Sequence, residues 1–288
     1  MSFKISFKGY TERINKKLDE CLISQGSLTK SMRYSVLSGG KRFRPILTYA
    51  VANTFSTDLN RADSSACAVE LIHAYSLIHD DLPAMDDDDT RHNQPACHKK
   101  FGEAQAILTG DGLQALAFET LVNDHNISSE MRIKLLQALT HASFEMAEGQ
   151  SIDLSVVSQV IDIKTLKNMH RKKTGALLNC SIKLGALLSD QCNKKDFEIL
   201  DDFSADIGLA YQIQDDVLDV LTPQSILGKK QNSDVDKNKP TYPALLGLKE
   251  SQKTFQKLYD QAQERLGALS VNADELQALA ARLHSREF

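Results

Sequence analysis

Apolar residues recur three and four positions apart along almost the whole chain, the spacing that lines one face of an α-helix. In "SSACAVELIHAYSLIHDD", Leu71, Tyr75, Ile78 and Leu82 fall on one stripe. In "EMRIKLLQALTHASFEMAEG", Ile133, Leu136, Leu139, Ser143 and Met146 fall on another. "KTGALLNCSIKLGALLS" and "FSADIGLAYQIQDDVLDVL" repeat the pattern. "FQKLYDQAQERLGAL" and "ADELQALAARLHSR" read as amphipathic helices, the second capped by Asn272. No run alternates polar and apolar residues as a half-buried strand does, and no strand–helix–strand rhythm appears. The pattern predicts an all-α chain in which residues 1–288 form one multi-helix bundle. Bundles build sites from side chains that project inward from facing helices.

Three stretches break the helical pattern: "SGGKRFRP" at 38–45, "DLPAMDDDDTRHNQPACHKKFGE" at 81–103 and "LGKKQNSDVDKNKPTYP" at 227–243. Polar connections this long are usually functional or disordered. Pro83 cannot donate an i→i−4 hydrogen bond and pushes its predecessor out of the α region, so the helix carrying Asp80 is expected to stop or kink there.

Composition narrows the function classes. A net charge of −4 gives no basis for nucleic-acid binding, and no apolar run is long enough to span a membrane. "MSFKISFKGY" lacks the apolar core of a signal peptide. Cys21, Cys67, Cys97, Cys180 and Cys192 are scattered and odd in number, without a C-x-x-C pair, and are read as reduced thiols of a cytoplasmic protein.

The chemistry lies in two acidic clusters. "HDDLPAMDDDDTRH" places six aspartates between Asp80 and Asp89. Asp80 and Asp86 are too far apart to meet on a straight helix, but a chain bent after Pro83 can bring them together. "YQIQDDVLDV" places Asp215, Asp216 and Asp219 inside a helical segment, with Gln212, Asp216 and Asp219 on one stripe. Like charges at i,i+4 cost a bare helix roughly 0.3 kcal/mol, and a divalent cation reverses that penalty. Hard cations such as Mg²⁺ take one or two carboxylates plus substrate phosphates. A single acidic run is commonly a solvated loop; two clusters of this form in one helical chain point to a metal–diphosphate site. The cationic counterpart comprises Lys41, Arg42 and Arg44 before a helix start, Arg171, Lys172, Lys173 and Thr174 at another, and Lys229, Lys230, Lys237 and Lys239. Lysines and arginines at helix N-termini hold anions. Together these groups describe a site for two polyanions, one bridged to aspartates by metal and one held directly.

The chain resembles the trans-prenyl diphosphate synthases, and most closely the bacterial short-chain farnesyl diphosphate synthases. The motifs that carry the resemblance are "GGKRFRP", "HAYSLIHDDLPAMDDDD", "GQSIDL", "KTGAL", "YQIQDDVLDV", "LGK" and "KPTYPALLGL", over roughly residues 25–250. The resemblance implies an isoprenoid synthase-like helical bundle around a central cavity and a homodimer. It implies Mg²⁺-dependent head-to-tail joining of isopentenyl diphosphate to an allylic diphosphate, with three Mg²⁺ per active site. Asp80, Asp86 and Asp215 are implied as Mg²⁺ ligands, supported by Asp81, Asp216 and Asp219. Arg91, Lys173, Gln212, Lys229 and Lys239 are implied at the allylic diphosphate, with Thr174 beside the developing carbocation. Lys41, Arg44 and His73 are implied at isopentenyl diphosphate. Tyr75, five residues before the motif and beside Ser76, is implied as the floor that limits the product to fifteen carbons; a twenty-carbon product is the alternative.

The chain also departs from the family pattern. Where the family reads L-R-R-G, this chain reads Thr90, Arg91, His92, Asn93, so His92 stands at the second arginine of the isopentenyl diphosphate site. His lacks the permanent charge and bidentate fork of Arg, so affinity for that substrate is expected to improve as pH falls through a histidine pKa near ~6.5. Asn232 replaces a glycine and Tyr211 a phenylalanine. Three other readings compete. Helical terpene cyclases share the aspartate motif but need no second diphosphate site. A non-catalytic partner subunit commonly lacks one aspartate motif, and this chain keeps both. A simple cation-binding protein has no use for the lysine motifs.

Overall fold

In the computed structural model, residues 3–221 and 239–285 are described, and they are almost entirely helical. The helices are α1 (Phe3–Cys21), α2 (Ser27–Leu37), α3 (Phe43–Thr54), α4 (Asp63–Asp80), α5 (Cys97–Phe101), α6 (Glu103–Val122), α7 (Ser129–Ser155), α8 (Ile163–His170), α9 (Ala176–Leu187) and α10 (Lys194–Leu221). They continue with α11 (Tyr242–Leu246), α12 (Leu248–Leu266) and α13 (Asp274–Ser285). The all-α expectation holds.

One departure is a two-pair hairpin, β1 (Thr90–Arg91) against β2 (Gln94–Pro95). It is closed by His92 and Asn93, both at positive φ (51° and 59°), as a tight two-residue hairpin turn requires. A second departure is a π-helical turn, Arg171–Gly175, between α8 and α9. π-turns are rare and concentrate at functional sites. Asn272 works as anticipated: its Oδ1 accepts from Asp274 N at 2.9 Å, at the start of α13.

The described chain groups into two compact units: residues 1–139 with 184–191, and residues 140–183 with 192–288. The first is built on α4, which packs on α1, α3 and α6. Leu71 and Ile72 of α4 and Tyr49 of α3 are fully buried. The core of the second includes Leu166 and Met169 of α8, Leu209, Ile213 and Val217 of α10, and Tyr242 of α11. On α7 the buried stripe runs through Leu135, Leu139, Ala142 and Met146, while Ile133 is 57% exposed. The predicted stripe was therefore one residue out of phase at its N-terminal end. Among the described residues no helix is long and apolar enough to cross a membrane.

Candidate active site

In the first unit, α4 ends at Asp80, as Pro83 requires. The chain then turns back on itself. Leu82 N donates to the His79 carbonyl, Asp87 N to the Leu82 carbonyl, and Asp86 N to the Asp80 carbonyl at 2.9 Å. This last bond brings Asp86 back beside Asp80, with both half-buried. Asp81 points elsewhere. It is 2% exposed and is paired with Arg91, whose Nε donates to Oδ1 at 3.1 Å. Burial raises the Asp81 pKa and Arg91 opposes the rise. Asp89 is fully exposed and pairs with Lys99 at 2.7 Å.

The donor set suits a hard cation. Among the described residues no three His, Cys, Asp or Glu side chains converge as a ready-made cage. Mg²⁺ does not need one, since it binds through one or two carboxylates and completes its shell with water and phosphate oxygens. Asp80 and Asp86 can supply that pair, whereas Asp81 is already committed to Arg91.

The cationic residues of this unit lie close by. Gly39 and Gly40 take φ of 126° and 104°, which side chains rarely adopt. Gly40 also leaves room for His92, because a Cβ there would sit 3.3 Å from the imidazole. Lys41 follows, exposed. Arg44 Nη1 donates to His73 Nε2 at 3.2 Å. Since guanidinium only donates, His73 is neutral with Nε2 as acceptor. Burial first, then Arg44 and His92, hold its pKa well below 6.5.

Arg42 requires a correction. Read from sequence as part of an anion site, it is only 6% exposed and pairs with buried Glu70 at 2.8 Å. It also donates to Asn15 Oδ1 at 2.9 Å and to the Val36 carbonyl. Its charge is spent inside the protein. Tyr75 is buried on α4 and meets His79 edge-on at 5.7 Å. His79 Nε2 donates to the Ile107 carbonyl at 3.0 Å, so that nitrogen is held in a structural bond at the end of α4. Ser76 Oγ donates to the His73 carbonyl at 2.9 Å.

In the second unit the π-turn presents Lys173 and Thr174. Lys173 Nζ and Lys239 Nζ both reach Asp153 Oδ2, at 2.6 and 3.4 Å. Asp153, in "GQSIDL", is 3% exposed. Burial works against its charge, and the two lysines nevertheless hold its pKa below the usual value. Thr174 Oγ1 donates to Gln212 Oε1 at 2.8 Å, and Gln212 Nε2 donates to Asp216 Oδ1 at 3.1 Å. Asp216 also accepts from Tyr242 N at 3.0 Å and lies 3.5 Å from His170, whose ring stacks on Tyr242. Asp216 and Asp219 are buried, while Asp215 is half-buried on the same helix. Gly149 lets α7 approach the π-turn: a Cβ there would lie 2.2 Å from Lys173 N. Lys229 lies outside the described residues, as do Lys230, Asn232 and Lys237.

Asp153 was missed in the sequence, although its motif was noted. Its lysine partners lie 20 and 86 positions away, and nothing local marks it as their anchor.

Solved structures place this fold among the isoprenyl synthases. A geranyltransferase from Legionella pneumophila superposes with a TM-score of 0.89 at 32% identity, covering 100% of this chain and 99% of that one. A geranyltransferase from Helicobacter pylori, solved with magnesium and isoprenyl diphosphate, gives a TM-score of 0.85 at 29% identity, covering 98% and 97%. The polyprenyl synthetase family model matches residues 25–274, and the chain belongs to that family. The farnesyl diphosphate synthase of Escherichia coli is 45% identical over 260 residues, 88% of this chain and 87% of that protein.

Proposed function

We propose that this protein is a farnesyl diphosphate synthase, a prenyltransferase working as one domain on isopentenyl diphosphate and dimethylallyl or geranyl diphosphate. The observation that carries this reading is the charge arrangement of the first unit. A bent carboxylate pair, Asp80 and Asp86, lies near the Arg91 guanidinium, and the neutral imidazoles of His73, bonded to Arg44, and His92 stand within reach of that charge. The electrostatic influence of Arg91 reaches both His73 and His92, and Asp80 in turn acts on Arg91. Carboxylates for a metal-bound diphosphate and permanent cations for a second one match the two substrates. The 45% identity to a farnesyl diphosphate synthase along most of the chain supports the same conclusion.

In this reading Asp80 and Asp86 of the first unit would offer carboxylates to Mg²⁺, as would Asp215 of the second, with three ions implied by the family resemblance, while buried Asp216 and Asp219 position the helix that carries Asp215. When bound, Mg²⁺ neutralises the diphosphate charge that grows as the allylic C–O bond breaks. The resemblance assigns Arg91, Lys173, Gln212, Lys229 and Lys239 to that diphosphate, where cationic and amide groups would stabilise it as a leaving group. Thr174, held by Gln212, faces the cationic carbon with its hydroxyl oxygen. Lys41, Arg44 and His73 fix the diphosphate of isopentenyl diphosphate, so its C3–C4 double bond meets C1 of the cation. The released diphosphate accepts the departing proton, so no protein base is required. The reading includes a cytoplasmic homodimer. Exposed Ile107, Leu108 and Val122 on α6 are apolar side chains that a partner would cover.

The direct test is incorporation of labelled isopentenyl diphosphate into prenyl product by the purified protein. Incorporation should require Mg²⁺ and stop on chelation. No incorporation with Mg²⁺ present would count against the reading.

His92 gives a second expectation. Its ring lies over Gly40, and that partial desolvation, with Arg91 and Arg42, lowers its pKa. The free protein therefore holds it neutral at pH 7, and the sequence-based window near ~6.5 moves lower. A lowered folded-state pKa also means that its contribution to stability is present above ~6.5 and is lost as pH falls through the folded value. His92→Arg should lower KM for isopentenyl diphosphate about tenfold at pH 8, the scale of one charge-assisted hydrogen bond. It should also flatten the improvement in KM that the wild type shows below pH 6.5. Equal KM and parallel profiles would remove His92 from the site.

Tyr75 gives a third. If its buried ring ends the space for the growing chain, Tyr75→Ala should shift product from fifteen carbons towards twenty and beyond, measured by chromatography of the dephosphorylated alcohols. An unchanged product would assign Tyr75 to packing alone.

A further inference from the structure

Cys21 and Cys67 play no part in the reaction described above. The packing of α1 on α4 brings them together. Arg13 Nε donates to Asp63 Oδ1 at 2.6 Å, and Lys17 Nζ lies 3.8 Å from Asp63 Oδ2. One helical turn beyond Lys17 is Cys21, and one turn beyond Asp63 is Cys67. At that next level of the interface each thiol acts on the titration of the other. Both are reduced in this structure.

The two sulfurs differ in access and character. Cys67 is 2% exposed, whereas Cys21 is half-buried at the last residue of α1. Cys67, with Thr120 and Lys17, lowers the Cys21 pKa, while Cys21 and burial push Cys67 up. A reachable sulfur beside a sheltered one is the layout of an attacking and a resolving cysteine. Burial instead keeps Cys97, Cys180 and Cys192 as neutral thiols.

We propose that Cys21 and Cys67 form a reversible redox site that reacts with low-molecular-weight disulfides such as oxidised glutathione. The Cys21 sulfur attacks one glutathione sulfur. The S–S bond breaks, and one glutathione leaves with the bonding electron pair and takes up a proton. The Cys67 sulfur then attacks Cys21 in the mixed disulfide, and the second glutathione leaves with its electron pair and the Cys67 proton. Two protein thiols are oxidised to one disulfide, and one glutathione disulfide is reduced to two thiols. The new bond ties the end of α1 to α4, the helix on which His73 and Asp80 lie.

The experiment is to incubate the full chain with oxidised glutathione, alkylate it under denaturing conditions and map the peptides by mass spectrometry. Two of the five thiols should become unavailable, in a linked peptide pair containing Cys21 and Cys67 that dithiothreitol releases. Cys67→Ser should stop at a glutathione adduct on Cys21, and Cys21→Ser should form no adduct at Cys67 in the folded protein. Five free thiols in the wild type, or a Cys21 adduct that never transfers to Cys67, would overturn the proposal. The readout is thiol content rather than turnover, so its outcome is independent of the farnesyl reading.

Discussion

Replacing Asp80 by Ala is expected to lower turnover by about 10²–10³-fold, the usual cost of removing one preorganised group that stabilises developing charge. Asp80 stands at the end of α4, and the Asp86 N–H bond to its carbonyl fixes where the second carboxylate lies. Because that bond uses the backbone, Asp80→Ala keeps the loop geometry and removes one metal-binding carboxylate. The loss should appear chiefly in kcat, with a higher Mg²⁺ concentration needed for half-maximal rate. Asp89→Asn is the contrast. Asp89 is fully exposed and bonded only at the surface to Lys99, so its variant should turn over at the wild-type rate. Equal losses in both variants would mean that the aspartate run acts as a diffuse negative field, not as a clamp with particular ligands.

Glu70→Ala should produce the largest loss of stability, about 3–5 kcal/mol, because it leaves the Arg42 guanidinium buried without its counter-charge. Both side chains are 5% exposed and 2.8 Å apart. For a chain of this size that corresponds to a fall in Tm of roughly 10 °C. Glu70→Gln keeps the shape and an acceptor oxygen, so it should lose less. Thermal unfolding of the three proteins distinguishes the outcomes. A wild-type Tm for Glu70→Ala would mean that solvent reaches Arg42. The linkage also bears on function, since Arg42 sits between Gly40–Lys41 and Arg44. A loosened Arg42 should raise KM for isopentenyl diphosphate along with the fall in Tm.

The sequence made the helices legible, because burial on one side of a helix leaves a periodic trace. The stop at Asp80 was legible because a proline cannot continue a helix. What escaped was non-local or compensated. Arg42 reads like its neighbours Lys41 and Arg44, and only Glu70, 28 positions away on another helix, separates it from them. Asp153 gains its meaning from Lys173 and Lys239, which no spacing rule connects to it. The π-turn at Arg171–Gly175 spans five polar or small residues, so no apolar period marks it. Gly149, which admits the Lys173 backbone, lies on α7 and is not local to the turn. The β1–β2 hairpin is too short to show alternation. Its trace is the turn pair His92–Asn93, two residue types that tolerate positive φ.

The most direct measurement of the central claim is the length of the product. Purified protein would receive labelled isopentenyl diphosphate, geranyl diphosphate and Mg²⁺, and the dephosphorylated products would be sized by chromatography. The account predicts a fifteen-carbon alcohol as the main product. A twenty-carbon product would contradict the farnesyl assignment and the role of Tyr75 while leaving the family chemistry standing. No product from either the wild type or His92→Arg would contradict the catalytic reading itself.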